Sequence, residues 1–77
     1  MPLEKLSIKP NPSTSGVFEL TGANPTAVKI KIHSVTGTLL GELENALHID
    51  LSKYSKGLYY IEIISKEETT VKKVIYQ

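Results

Sequence analysis

Apolar residues at every second position are the strongest constraint on this chain. In Val28-Lys29-Ile30-Lys31-Ile32-His33 the apolar side chains alternate with polar or charged ones. Successive side chains of an extended strand point to opposite faces, so the pattern sorts this segment into a buried and a solvated side. Leu47-His48-Ile49-Asp50-Leu51-Ser52 follows the same rule. Strand formers dominate throughout, and no stretch of helical length carries an i, i+3, i+4 apolar stripe. The exception expected is a short helical turn at 52–55.

Turn chemistry sets the boundaries. Pro10-Asn11-Pro12 fixes two φ angles and removes two N–H donors, so it ends any strand before it. Gly22-Ala23-Asn24-Pro25-Thr26 makes a loop, Thr36-Gly37-Thr38 a tight hairpin, Glu44-Asn45 another and Lys66-Glu67-Glu68 a charged one. Strands are then expected at about 3–9, 16–21, 27–34, 38–43, 46–51, 57–65 and 69–76. Short strands separated by turns predict an all-β fold: an antiparallel β-sandwich of about seven strands, an immunoglobulin- or fibronectin-like Greek key. The Thr36-Gly37 connection is too short for a crossover, so the third and fourth strands pair antiparallel in one sheet. This favours the fibronectin-like partition, with the first, second and fifth strands facing the third, fourth, sixth and seventh. The constant-type immunoglobulin partition moves the fourth strand to the other sheet. Phe18, Leu20, Ile30, Ile32, Ile49, Leu51, Tyr59, Ile61 and Ile63 are expected to be buried together. No repeat, linker or low-complexity tract interrupts the chain, so residues 1–77 read as a single domain.

Composition then narrows the function. A chain of 77 residues buries only about 60% of the surface its unfolded state exposes. It has no cysteine, so neither a disulfide framework nor a thiolate metal site supplements the core. A net charge of +1 with scattered lysines predicts no nucleic-acid surface. No apolar run approaches the roughly 20 residues of a transmembrane segment.

Catalytic and metal chemistry find little support. His48, Asp50 and Ser52 share one strand face, but residues i, i+2 and i+4 stand in a row about 7 Å apart. A base must come within about 3 Å of its nucleophile. A zinc site from His33 and His48 needs a third ligand, for which no suitable spacing exists. Asp50 is better placed to cap the following turn through Ser52 or Lys53. Glycine-rich phosphate loops and calcium-binding carboxylate runs are absent from the sequence, so no enzyme activity, cofactor or metal is expected.

Four local motifs remain. In Pro10-Asn11-Pro12-Ser13-Thr14-Ser15-Gly16 the prolines preset φ, Asn11 and Ser13 can close side-chain turns, and Gly16 permits a positive φ. The segment reads as a rigid corner between the first two strands. Gly57-Leu58-Tyr59 is similar to a tyrosine corner, in which the Tyr59 hydroxyl bonds to upstream backbone and Gly57 leaves room for a crossing chain. Leu58, Tyr60 and Ile64 point away from the core, with Glu62 the charge among them. Lys29, Lys31 and His33 are expected beside them on the outer face of the third strand, giving either an aromatic and basic docking surface or a solvated face. In the last strand Val71 and Ile75 share one parity, while Val74 and Tyr76 share the other. A β-bulge near Lys73 would turn both pairs inward, and Lys72 and Lys73 would blunt an edge strand.

In this order the corner, Thr36-Gly37-Thr38-Leu39-Leu40, Asp50-Leu51-Ser52, Gly57-Leu58-Tyr59 and Lys72-Lys73-Val74-Ile75 resemble the C-terminal sorting domain of the type IX (Por) secretion system. The likeness runs over about residues 6–77. It departs where the family often has Asp and Gly around the hairpin and this chain has Ser34-Val35-Thr36-Gly37. The resemblance implies a sorting signal at the end of an exported protein of a Bacteroidetes-type Gram-negative bacterium. Such a signal directs a secreted cargo across the outer membrane and is recognised by outer-membrane translocon components. In many members a sortase-like protease removes it and the cargo is anchored to surface lipopolysaccharide. The expected cleavage point lies at or before residues 1–6, and the expected location is secreted or cell surface after periplasmic transit. Met1-Pro2-Leu3-Glu4 is no signal peptide, which fits a fragment whose N-terminal cargo domain is missing. Pro10, Asn11, Pro12, Gly16, Gly37, Gly57, Tyr59, Tyr60, Lys72, Lys73 and Val74 are the candidate recognition residues. The rival is a fibronectin-like or carbohydrate-binding accessory module of a secreted enzyme. Sugar binding usually needs an aromatic platform, and the chain has no Trp, one Phe and four Tyr, of which Tyr60 and Tyr76 are surface candidates.

Overall fold

The structure, a computed structural model, describes residues 7–22, 28–44, 48–65 and 69–77. Among them seven strands form: β1 (Ser7–Lys9), β2 (Val17–Thr21), β3 (Lys29–Ser34), β4 (Leu39–Glu44), β5 (His48–Asp50), β6 (Gly57–Ile64) and β7 (Thr69–Tyr76). All pairings between them are antiparallel. One sheet has the order β1-β2-β5 and the other β4-β3-β6-β7. The short β3–β4 hairpin keeps those strands together, and the two sheets divide as it dictates. Residues 3–6 of the expected first strand, 23–26 of the expected loop at 22–26, residue 27 of the expected third strand, Asn45 of the expected Glu44-Asn45 hairpin, 46–47 of the expected fifth strand, and the charged turn at 66–68 lie outside the described residues. The expected helical turn at 52–55 is a single hydrogen-bonded turn, in which the Tyr54 N–H donates to the Leu51 carbonyl at 2.9 Å. Among the described residues no helix is long and apolar enough to cross a membrane.

Alternation decides the core. Ile30 and Ile32 stand opposite Ile63 and Ile61 in the β3–β6 register. Phe18 stands opposite Ile49, and Leu20 opposite Ile8. All nine residues expected inside are buried, joined by Ile8, Val28 and Val74. Each large apolar side chain removed from water in this way contributes about 1.5–3 kcal/mol. The opposite parity forms the outer face of the larger sheet, where His33 sits beside Tyr60, Lys31 beside Glu62 and Lys29 beside Ile64.

The last strand departs from expectation. The β6–β7 register is unbroken from Gly57↔Tyr76 to Ile64↔Thr69, so there is no bulge near Lys73. An edge strand covered on one face needs only one parity inward. Val74 takes the buried position opposite Tyr59, and Val71 is left 56% exposed on the outer face opposite Glu62. Lys72 consequently shares the inner parity opposite Ile61, half-buried at the rim. A lysine is tolerated at such a place because an apolar stem can lie along the core while the ammonium stays in water. The register shift falls instead between Ile32 and His33, where Gly41 and Leu39 are their partners. Leu40 is the extra residue and packs against the core, which turns Leu39 outward.

Candidate functional site

Asn11 stands between two prolines that have no N–H to offer, and both peptide bonds entering those prolines are cis. From the sequence its side chain is expected to close a local turn, and instead it reaches the last strand. The Asn11 Nδ2 donates to the Lys73 carbonyl at 2.9 Å, and Oδ1 accepts from the Ile75 N–H at 3.0 Å. A primary amide presents a donor and an acceptor in one plane, as a peptide group does. Asn11 therefore occupies the edge of β7 as a strand residue would. Two residues on, main chain takes over. The Ser13 N–H donates to the Ile75 carbonyl, and the Ser13 carbonyl accepts from the Gln77 N–H, both at 2.9 Å. Together these form a parallel bridge between Ser13 and Tyr76.

Ser13 is the pivot of this corner, and at 1% exposure it is the buried polar residue of the described chain. Burial of a hydroxyl is tolerable only when it is hydrogen-bonded. Its Oγ donates to the Val17 carbonyl at 3.0 Å and accepts from the Gly16 N–H at 3.2 Å. Ser13 thus closes the local turn expected of it. Its placement against the last strand escaped sequence reasoning, although a small polar residue between Pro12 and Gly16 is a signal of a tight, internally bonded corner.

Gly16 joins a third stretch to this site. Its φ is 84°, in the left-handed region that glycine adopts without penalty. The Gly16 carbonyl accepts from the Leu51 N–H at 2.7 Å. A Cβ there would stand 3.0 Å from the Ser52 backbone and 3.1 Å from the Tyr76 ring. The Asp50 Oδ1 accepts from the Ser52 N–H at 2.8 Å, capping the turn. The Ser52 side chain and then its N–H hold the Asp50 carboxyl below the usual carboxylate range. Stretches near positions 11–16, 50–52 and 73–77 meet at one end of the sandwich.

The other candidates are placed as follows. Pro10 and Pro12 flank Asn11 and are exposed, as is Lys73 beside it on the edge. Tyr59 lies opposite Val74 on the inner face, and its hydroxyl donates to the Ser55 carbonyl between β5 and β6. Its ring centroid is 6.2 Å from that of Tyr54, whose hydroxyl donates to the Leu40 carbonyl at 3.1 Å. Tyr60 is on the opposite face, between His33 and Lys73. Gly37 serves the β3–β4 hairpin with φ 92° and its N–H on the Ser34 carbonyl, and takes no part in the corner. Among the described residues no chain crosses at Gly57: a Cβ there would meet nothing within 4 Å, so its φ of 156° is what favours glycine.

On the outer face two basic side chains stand beside carboxylates. The Lys29 Nζ lies 3.0 Å from Glu42, which holds the lysine above and the carboxyl below their ordinary values. The His33 Nε2 lies 2.9 Å from Glu62. His33 and His48 sit in different sheets, and the described residues contain no group of three or more His, Cys, Asp or Glu suited to a metal ion.

The family model described as "Secretion system C-terminal sorting domain" matches residues 7–77, a span that takes in the corner, the 50–52 turn and β7. No curated protein matches the chain. The chain belongs to the family of C-terminal sorting domains of the type IX (Por) secretion system.

Proposed function

We propose that residues 1–77 act as a single sorting domain that directs a secreted cargo across the outer membrane. The surface read by outer-membrane translocon components is the 10–16 corner together with the edge of β7 that it covers. One observation carries this reading. The Asn11 amide and Ser13 main chain fasten the corner to Lys73, Ile75 and Gln77. Two stretches that resemble the family's signal therefore lie side by side, joined by these hydrogen bonds. A sortase-like protease that frees the cargo and attachment of that cargo to the cell surface follow from the family's general behaviour. The aromatic residues favour this over a sugar-binding module. Phe18 and Tyr59 are buried, Tyr54 and Tyr76 pack against the core, and among the described residues Tyr60 pairs with no other Tyr or Phe ring on the outer face.

The test is to fuse this chain behind a periplasm-directed reporter in a host with the type IX machinery. The reporter is expected at the cell surface. A reporter that stays in the periplasm would overturn the sorting reading and promote an accessory module.

A further inference from the structure

We propose that the open half of β7, residues 69–73, receives an extended segment of the recognising partner as an added β-strand. This rests on the sorting reading for the partner's identity as secretion machinery. In an antiparallel pair, residues alternately turn both backbone groups toward the neighbouring strand and both away from it. Ile75 sends its N–H to Asn11 and its carbonyl to Ser13, and Lys73 sends its carbonyl to Asn11. By alternation Val71 and Thr69 face the same way. Among the described residues nothing bonds to the Lys73 N–H or to the outward groups of Val71. Among the described residues the edge is therefore filled from the Lys73 carbonyl onward and unpaired behind it.

The occupant follows from the geometry. Outward donors and acceptors repeating about every 7 Å are matched by an extended backbone, which is how strand addition to a sheet edge works. The Asn11 amide already uses the edge in this way and sets where the incoming segment must stop. Side chains supply selectivity. Val71 is 56% exposed, and Lys73 has no carboxylate partner among the described residues. The segment that fits carries a carboxylate beside Lys73 and an apolar residue beside Val71. A second copy of this chain fits less well. Antiparallel self-pairing about Val71 sets Lys73 against Thr69 and leaves both ammonium groups uncompensated.

Two measurements test this. In the free chain, the Val71 amide should exchange with solvent at least tenfold faster than that of Ile75, and a protected Val71 would mean that the edge is already occupied. In the reporter fusion, Val71→Pro removes an N–H that the sheet does not use, a place where an edge strand accepts proline. Its melting should stay within a few degrees of the parent while surface export falls at least tenfold. Val71→Thr should export normally. Lys73→Pro, which also removes an outward N–H, repeats the test if Val71→Pro is unstable. Export of the folded proline variants at the parent level would overturn the added strand and leave the sorting reading standing, whereas periplasmic retention of the unaltered fusion would overturn the sorting reading itself. A concentration-dependent dimer that Val71→Pro abolishes would replace the partner segment with a second copy.

Discussion

The 10–16 corner and the β3–β4 hairpin use the same turn chemistry for different ends. Each has a serine whose hydroxyl accepts a nearby backbone N–H: Ser13 from Gly16, and Ser34 from Thr38. Each has a glycine at positive φ, 84° at Gly16 and 92° at Gly37. In the hairpin the bonds stay local, running between Ser34, Thr36, Gly37 and Thr38. The corner also reaches across the chain, with bonds to Lys73, Ile75, Gln77 and Leu51. A local turn joins two strands and is replaceable by another turn of the same length. A turn bonded to remote strands fixes where those strands end, and its residues are not interchangeable.

The largest separation between the two should come from their glycines. Gly16→Ala meets the Ser52 backbone at 3.0 Å, whereas a Cβ at Gly37 meets nothing within 4 Å. Both substitutions carry the left-handed penalty of about 1–2 kcal/mol, and Gly16 adds an overpacking cost of about 1–3 kcal/mol. Denaturant unfolding should show Gly16→Ala losing roughly twice as much stability as Gly37→Ala. Equal losses would mean that the corner yields as easily as the hairpin.

Asn11→Ala comes next. It removes two hydrogen bonds, each contributing about 1 kcal/mol, partly replaced by water at this exposed edge. The stability loss should be about 1–2 kcal/mol, and exchange of the Ile75 amide should quicken. Asn11→Asp is a sharper probe, since a carboxylate can still accept from Ile75 but cannot donate to the Lys73 carbonyl. Ser34→Ala should leave amides outside the hairpin unchanged. If Asn11→Ala also left Ile75 unchanged, the contrast between the turns would collapse.

Tyr59→Phe should cost on the order of 1 kcal/mol by removing the bond to the Ser55 carbonyl. Unchanged stability would show that water replaces the hydroxyl at no cost. Replacing Lys72 and Lys73 together by alanine should change stability by no more than about 0.5 kcal/mol. Lost export with an intact fold would then assign the two side chains to recognition, and normal export would leave them as edge protection.

How much of this could be read from the chain depended on whether the cause was local. Val28 to His33 alternates without exception, so the faces of Ile30 and Ile32 followed from period alone, and hairpin length divided the sheets. β7 could not be read in this way, because apolar residues occupy both its parities. Only the register with β6, which sets Val74 opposite Tyr59 and Val71 opposite Glu62, decides that Val74 is buried and Val71 exposed. Asn11 was legible as a turn residue, but its true partners lie more than sixty positions away, beyond any local pattern. Gly57 misled for the opposite reason, since a backbone angle and not a close neighbour favours glycine there.

The smallest effect expected is in acid, where it bears on the turn that the corner grips. The folded Asp50 carboxyl is held below its ordinary value of 3.8, first by the Ser52 side chain and then by the Ser52 N–H. A carboxyl lowered by folding stabilises the folded state above its unfolded pKa, and that contribution fades as pH falls through the folded value. Asp50 should therefore add stability at neutral pH and lose its share below about pH 4. Asp50→Asn keeps an acceptor for the Ser52 N–H but cannot titrate, so its stability should fall less steeply in acid than the parent's. Glu42 is also lowered, by Lys29, and remains in both proteins, so the difference between the two curves isolates Asp50. Because Leu51 bonds to Gly16 immediately after this cap, the Leu51 amide should lose protection in step with the titration. An Asp50→Asn curve parallel to the parent's through the acid range would separate the cap from the corner and leave the Leu51 bond to stand alone.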